Sequence, residues 1–472
     1  MNDELRVKDN ELGGKMNYRY RTDEEMKDSG VEWIGKIPKE WNVTKLKNLA
    51  TIVTGNTPSK NDEKNYENGI VQWIKPDNIT DDFKITESKD RLSTYGLKQA
   101  RLIPKNSALV CCIGTVGKVG ISEVECTTNQ QINSVVFDNK NWVNGFGIYA
   151  LISSRNEHER NSSKVVVSIL NKSQQGNINM PVPKSEEQQK ISKFLNEKTA
   201  QFDSIISKKE ALIEKLEEAK KSLISEVVTG KVRVVKSSDG YELVERKKEG
   251  MKDSGVEWLE DIPKEWDLKR SNYVFKFSKG LSITKENLQD EGIPCINYGE
   301  IHSKYGFEVN PKRHKLKCVT EEYFNSNPNA LIKYGDFVFA DTSEDIQGCG
   351  NFSYLNAEDS IFAGYHTIIA RPIKTVSSRY LAYLFDSDDW RIQIRTKVSG
   401  IKVFSITQSI LKTTKVILPT LSEQKLIVDY LDNKFVNINS MINNMKKQIE
   451  KLKEAKQSLI SEAVTGKIEI LD

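Results

Sequence analysis

No stretch of this chain approaches the about 20 consecutive apolar residues that a membrane-spanning helix needs. The opening Met1-Asn2-Asp3-Glu4-Leu5-Arg6 has no apolar core either, so no signal peptide is expected there. Cysteine is sparse. The six thiols, Cys111, Cys112, Cys126, Cys295, Cys318 and Cys349, form no C-x-x-C pair, which argues for a reduced, cytoplasmic chain without a disulfide framework. Histidine is scarcer still. His158, His302, His314 and His366 are scattered, none with a partner at metal-ligand spacing, so no metal site is expected. Neither sign of charge dominates: 70 Lys+Arg stand against 66 Asp+Glu, a formal net charge of +4. A balance that mild neither demands nor excludes a polyanionic partner.

Catalytic signatures are missing as well. Gly114-Thr115-Val116-Gly117-Lys118-Val119-Gly120 has the look of a phosphate loop, but the G-x-x-x-x-G-K-[ST] spacing is absent and Val119 follows the lysine. No dinucleotide-type glycine fingerprint follows a strand, so no NAD or methyl-donor site is read. Asp336 and Asp341 flank a strand as a nuclease's acids would, yet Ser107 and Cys112 stand at the matching places in the first half of the chain. That first half is the informative observation, because the chain is written twice.

Ile213 to Lys231 returns as Ile449 to Lys467, and three of those nineteen positions differ. Met26-Lys27-Asp28-Ser29-Gly30-Val31-Glu32-Trp33, followed by Ile37-Pro38-Lys39-Glu40-Trp41, returns at Met251 to Trp258 and Ile262 to Trp266, with thirteen of sixteen positions equal. The opening text repeats at an offset of 225 and the closing text at 236, so the second copy is longer by 11 residues between its landmarks. Such near-verbatim text marks an internal duplication. Each closing copy reads as the end of a charged helix, with Gly230 and Gly466 at the left-handed stop. The paired tryptophans Trp33, Trp41, Trp258 and Trp266 read as core anchors, since repeated text serves shared scaffold.

Between the landmarks the halves diverge. Both are rich in Gly, Asn, Ser and Thr with short β-like runs, such as Ser107 to Cys112 and Asp336 to Ala340, which predicts α+β modules with strand-rich cores. Short helices are expected at Tyr149 to Ile152 and Ala382 to Phe385. Pro181, Pro183 and Pro419 end the modules, and Ser185-Glu186-Glu187 and Leu421-Ser422-Glu423 open long helices. Phe202, Ile205, Lys209, Leu212, Leu216, Ala219 and Leu223 fall at alternating spacings of three and four. So do Ile438, Met441, Met445, Ile449, Leu452, Ala455 and Leu459, with one slip near Ile449. Those stripes read as a coiled-coil seam, in which Phe202, Ile205, Leu212, Leu216, Leu223, Ile438, Met441, Met445, Leu452 and Leu459 pair two long helices; the alternative is a single amphipathic helix lying on its own domain. The expected order is therefore an N-terminal tail over 1–25, a mixed α/β module over 26–183, a helix over 184–232 and a linker over 233–250. A second module over 251–419 and a second helix over 420–472 complete a pseudo-two-fold duplication.

Duplicated scaffold around dissimilar modules suits a bipartite reader. Polar loops supply donors and acceptors for base edges, and lysines grip phosphates. The candidates in the first module are Asn56, Thr57, Ser59, Lys60, Lys75, Asn78, Thr115, Lys118, Gln130 and Gln131. In the second they are Lys279, Ser282, Asn297, Tyr298, Thr342, Ser343 and His366. The paired Ser-Gly-Val-Glu-Trp and Ile-Pro-Lys-Glu-Trp texts, Thr54-Gly55-Asn56-Thr57-Pro58-Ser59, the Glu-Gln helix starts and Leu223-Ile224-Ser225-Glu226 with Val228-Thr229-Gly230 together resemble the DNA-specificity subunit of a type I restriction-modification system. The second module departs from the G-x-T-P-S stretch, with Gly280-Leu281-Ser282-Ile283-Thr284 in its place. The resemblance implies a non-catalytic subunit binding double-stranded DNA. Its two target-recognition domains would read a split site, and its two long antiparallel coiled-coil helices would set the gap and dock two modification subunits through the same stripes. S-adenosylmethionine, ATP and Mg would sit on those and on restriction subunits, in a complex that methylates adenine and cuts DNA, with no membrane involved. The rivals are a self-contained methyltransferase or nuclease with two recognition halves, and a coiled-coil adaptor without a DNA role.

Overall fold

The computed structural model describes residues 18–471 except 139, 141, 165, 239 and 401. The chain divides into two compact units, and the division does not follow the repeats in simple order. One unit holds the chain up to Glu210 together with Lys446 onward; the other runs from Ala211 to Met445. Each long helix, Ser185–Val228 and Leu421–Val464, therefore contributes its first part to one unit and its last part to the other.

In the first unit a four-stranded antiparallel sheet is ordered Ala50–Thr54, Ile132–Phe137, Ala108–Cys111, Val119–Ile121. The strand at 108–111 is buried along its whole length, as an unbroken apolar run predicts. A smaller sheet sets Thr127–Thr128 parallel to Val71–Ile74, with Arg91–Leu92 on the far side. Ile74, Ile79, Ile103, Leu109, Cys111, Cys126 and Ile132 fill the space between these sheets. The second unit repeats the plan at larger scale. Its five-stranded sheet is ordered Phe275–Lys279, Thr367–Pro372, Phe337–Ala340, Phe352–Leu355, Phe307–Val309, and a parallel pair joins Ile293–Ile296 to Ile361–Ala363. Phe275, Phe337, Phe339, Phe352, Phe385 and Trp390 pack there as one aromatic core, with Phe385 and Trp390 centroids 4.2 Å apart. The helices expected at 149–152 and 382–385 lie within Asn144–Ser153 and Ser378–Asp386.

The repeated text builds the same joint in each unit. Trp41 and Trp266 are fully buried, and each indole N–H donates 2.8 Å to a carboxylate near the start of a long helix, Glu187 or Glu423. Arg21 and Arg246 close on the same two carboxylates. Gly466 and Gly230, at φ of +73° and +82°, end the helices directly over Pro38 and Trp41, or Pro263 and Trp266. A Cβ there would strike the proline ring, so glycine answers both the left-handed turn and the close approach.

Three expectations change. Residues 18–25, assigned to a tail, are structured: Tyr18–Tyr20 pairs with Ile468–Ile470, and residues 1–17 lie outside the described residues. The linker over 233–250 is largely a hairpin, Val232–Ser237 against Gly240–Glu245, with Val234 buried. Its Ser/Gly text is turn chemistry, not spacing chemistry. The seam also differs. Phe202, Leu452 and Leu459 are buried and Ile205, Leu216, Leu223, Ile438 and Met445 half-buried, but Leu212 and Met441 are exposed while Ile206 and Ile442 are covered. Each helix packs against its module as well as its partner, and a 3.6-residue helix drifts off a strict 3.5 repeat. In the first unit Asp203 meets Lys456 at 2.6 Å and Lys209 meets Gln448 at 2.8 Å, so the helix segments there run antiparallel.

Candidate nucleic-acid interface

Parallel strands deliver their following loops to one end of a sheet, and a small sheet in each unit holds such a pair, Val71–Ile74 with Thr127–Thr128 in the first and Ile293–Ile296 with Ile361–Ala363 in the second, where Phe307–Val309 and Phe352–Leu355 also run parallel. In the first unit the strands ending at Ile74 and Thr128 release Lys75–Asn78 and Asn129–Gln131. The segment after Thr54 crosses them: Gly55 N–H donates to Ile132 O and Asn56 N–H to Thr128 O, both at 3.0 Å. A Cβ on Gly55 would collide with the carbonyls of Thr128 and Asn129, which explains the first glycine of the G-x-T-P-S text. The rest of that loop is held from below. Trp73 Nε1 donates to Asn56 O at 3.2 Å, Tyr66 Oη to Pro58 O at 2.6 Å, Asn65 to Ser59 O at 3.0 Å, and Thr57 Oγ1 bonds Gln130. Thr57, Ser59 and Lys60 are left exposed on a fixed backbone, the preorganisation that recognition favours.

Lys75 lies 4.8 Å over the Trp73 ring and pairs with Asp90. With Lys60, Tyr66, Lys89 and Arg91 it borders an open hollow of about 560 Å³, to which Glu63, Glu67 and Asp90 also contribute. Tyr66, Lys89 and Arg91 were absent from the sequence-based candidates. The signal was the basic text Lys89-Asp90-Arg91, but only strand pairing brings it beside Val71–Ile74. Asn78 plays a different part: its Oδ1 caps Lys75 N–H at 3.0 Å. Lys118 is also placed elsewhere. It meets Asp81 at 3.2 Å in a cleft of about 740 Å³ also lined by Asp203, Glu210, Lys453 and Lys456 of the long helices. Thr115 stays exposed on the turn before it.

The second unit keeps this backbone and changes the side chains. Gly280 N–H donates to Thr367 O and Leu281 N–H to Ala363 O, as at Gly55 and Asn56, and Lys279 and Ser282 flank the crossing, both exposed. Cys112 N–H donates to Gln131 O in the first unit; Asp341 N–H donates to His366 O in the second. Gln131 and His366 therefore occupy equivalent places. His366 is exposed, has φ of +54°, and its Nδ1 lies 3.1 Å from Asp341 Oδ1. Tyr298 rests edge-on against it, with centroids 5.3 Å apart, and against Tyr365 at 5.7 Å. Thr342 is half-buried, its hydroxyl donating to Asp341 at 2.7 Å while its carbonyl accepts from His302 Nε2 at 2.8 Å. Asn297 and Ser343 are buried. Asn297 accepts from Tyr365 N–H, and Ser343 donates to Asp345 O, so both shape loops and do not reach outward.

Burial pushes the thiols of Cys112 and Cys126 up to about 12. Burial also holds His158 down to about 4, with Nδ1 donating to Ser154 O at 2.9 Å. Asp336 is clamped by Arg371 at 2.7 Å. Among the described residues no group of three or more His, Cys, Asp or Glu side chains is placed to hold a metal.

Residues 38–218 and 263–451 each match the family described as Type I restriction modification DNA specificity domain. The chain belongs to this family. Its relatives include the type I restriction enzyme MjaVIII specificity subunit of Methanocaldococcus jannaschii, 22% identical over 444 residues, covering 92% of this chain and 94% of the relative. The putative MjaX specificity subunit of the same organism is 26% identical over 458 residues, covering 93% and 96%. A solved chain from work on complex assembly and conformational transition of the type I R-M system shares the fold, with a TM-score of 0.62 at 15% identity, over 91% of this chain and 98% of that one. Both specificity domains begin at the Ile-Pro-Lys-Glu-Trp joint and extend into a long helix. Among the described residues no helix is long and apolar enough to cross a membrane.

Proposed function

We propose that this chain is the sequence-reading, non-catalytic subunit of a type I restriction-modification complex. Each unit reads one part of a split DNA site through the loops at the ends of its parallel strands. The observation that carries this is the shared backbone with exchanged side chains: Gly55 and Gly280 cross the same way, whereas Gln131 is replaced by His366 and Lys75 by Asn297. That is what two readers of different sequences need. In the first unit Thr57, Ser59, Gln130 and Gln131 face base edges, while Lys60, Lys75, Lys89 and Arg91 hold phosphate. In the second, Lys279, Ser282, Tyr298 and His366 take these roles.

The long helices act as a coiled-coil spacer that sets the gap and docks two modification subunits, which bring S-adenosylmethionine and adenine methylation. ATP and Mg belong to restriction subunits that join them in the cytoplasm. No residue of this chain transfers a methyl group or cuts DNA. The test is a module exchange. Replacing residues 42–183 by the equivalent region of a relative should change one half-site in the methylome and leave the other intact. A change in both half-sites rejects independent reading, and methyl transfer by the purified chain alone rejects the division of labour.

A further inference from the structure

Each unit carries a second feature beside its reading loops. In the first, Ser163–Lys164 pairs with Ser168–Ile169 in a small hairpin that turns Val166 and Val167 to solvent, 94% and 48% exposed. Leu170 N–H donates to Cys112 O at 2.8 Å and Gly114 N–H to Ser168 O at 3.0 Å, so the hairpin is stitched to the strand end that also holds Gln131. In the second unit Phe404–Ser405 pairs with Thr342–Ser343, Ile406 N–H donates to Asp341 O at 2.7 Å, and Val403 is 50% exposed beside Lys402. The hydrogen bonds match one for one, so the two segments are equivalent.

Their charge is one-sided. Residues 160–185 contain no Asp or Glu, and neither do residues 390–422. At the chain's average acid content the longer stretch would hold about four or five acids. The cations are Arg160, Lys164, Lys172 and Lys184 in the first, and six Lys or Arg in the second; Arg160, Lys184, Arg391 and Arg395 pair with carboxylates outside the stretches, so the charge nearest each tip is that of Lys164 and Lys402. An exposed apolar tip on an acid-free basic segment, continuous with a base-reading loop, matches a DNA groove: lysines to phosphate, methyl groups to thymine methyls or between base steps.

We propose that Val166, Val167 and Val403 enter the DNA groove as apolar contacts to base edges, with Lys164 and Lys402 on the flanking phosphates. The assignment rests on the reading of this chain as a DNA-specificity subunit. It is tested in the complex with its modification subunits, on a duplex carrying the site mapped by methylome sequencing. A benzophenone amino acid at Val167 or Val403 should crosslink to DNA. The same probe at Val124, 54% exposed but flanked by Glu123 and Glu125, should not. The double variant V166S/V167S should weaken binding roughly tenfold without changing its salt dependence, whereas K164A should lower the salt slope by about 0.9. Crosslinks to a modification subunit instead of DNA, or affinity of the double variant within twofold of the parent, overturn the proposal. If the unsubstituted complex fails to bind its duplex, the specificity reading itself falls and takes this assignment with it.

Discussion

At the scale of single residues, Lys60, Lys75, Lys89 and Arg91 surround one hollow of the first unit. Contacts to phosphate carry no sequence information, so alanine at any of the four that makes one should weaken binding to all duplexes alike. Each lost contact should reduce the slope of log affinity against log salt by about 0.9, read from anisotropy titrations at several salt concentrations. Four unchanged slopes would turn this face away from DNA. His158 offers a pH test. Burial holds its imidazole down to about 4, below the 6.5 of an ordinary histidine, so the unfolded chain takes up a proton that the folded one refuses. The stability this contributes is fully present above pH 6.5 and is lost as pH falls toward 4. It amounts to about 3 kcal/mol at most. Melting temperature should drop through that window in the parent and stay flatter in H158Q, whose amide keeps the polar contact without titrating.

At the scale of elements, the long helices are each 44 residues. At ~1.5 Å per residue that is about 66 Å, roughly two turns of DNA at about 34 Å each. Four residues inserted between Ala200 and Lys209 lengthen the helix by about 6 Å and turn it only ~40° past a full turn. DNA rises ~3.4 Å per base pair. The gap in the methylated site should therefore grow by one or two base pairs, with both half-sites unchanged. A folded, active variant with the original gap would show that the helices do not set it, and circular dichroism controls for unfolding. The joint between module and helix differs between units in a telling way. In the second unit Arg379 bridges Asp432 on the helix and Glu308 on the sheet, both at 2.7 Å. Burial raises the Glu308 carboxyl, but hydrogen bonds from Arg379 and Asn356 outweigh it and hold it below the usual carboxylate range. A tyrosine hydroxyl bonds the helix in both units, Tyr383 to Asp432 and Tyr149 to Asn196, but in the first unit Gly145 lies against Ser192 without room for a side chain.

At the scale of the whole molecule, one hairpin is built in two ways. The hairpin Val232–Ser237 with Gly240–Glu245 has its counterpart in Ile468–Ile470 with Tyr18–Tyr20, in the same register: Val232 faces Glu245 as Ile468 faces Tyr20. One copy is continuous and the other is made by distant parts of the chain. A permutant that joins Leu471 to Tyr18 through a short glycine linker and opens between Ser238 and Gly240 should fold. Its melting temperature should fall within a few degrees of the parent's, because an equivalent hairpin is closed for the one opened. A permutant that aggregates or loses DNA binding would show that the hairpin in the second unit does more than close the chain.

The duplication, the helix starts and stops, the burial of Trp41 and Trp266 and the presence of two α+β modules were legible in the amino-acid sequence, because repeated text and period are local signals; Trp33 and Trp258, read as core anchors too, are half-buried. Sequence could not separate the polar loop residues that point outward from those that hold a loop together. Asn297, Ser343 and Asn78 are as polar as Thr57 and Gln131, yet Asn297 is held by Tyr365 across the fold while Ser343 and Asn78 bond Asp345 and Lys75 within their own turns. Lys118 went to the helix-lined cleft and Arg91 to the hollow beside Trp73 through pairings of the tertiary fold. The seam of each helix was likewise decided by packing: a stripe covering two neighbours at once buries Ile206 and Ile442 and leaves Leu212 and Met441 in solvent. Local periodicity places a residue on a helix, but what lies opposite it belongs to the fold as a whole.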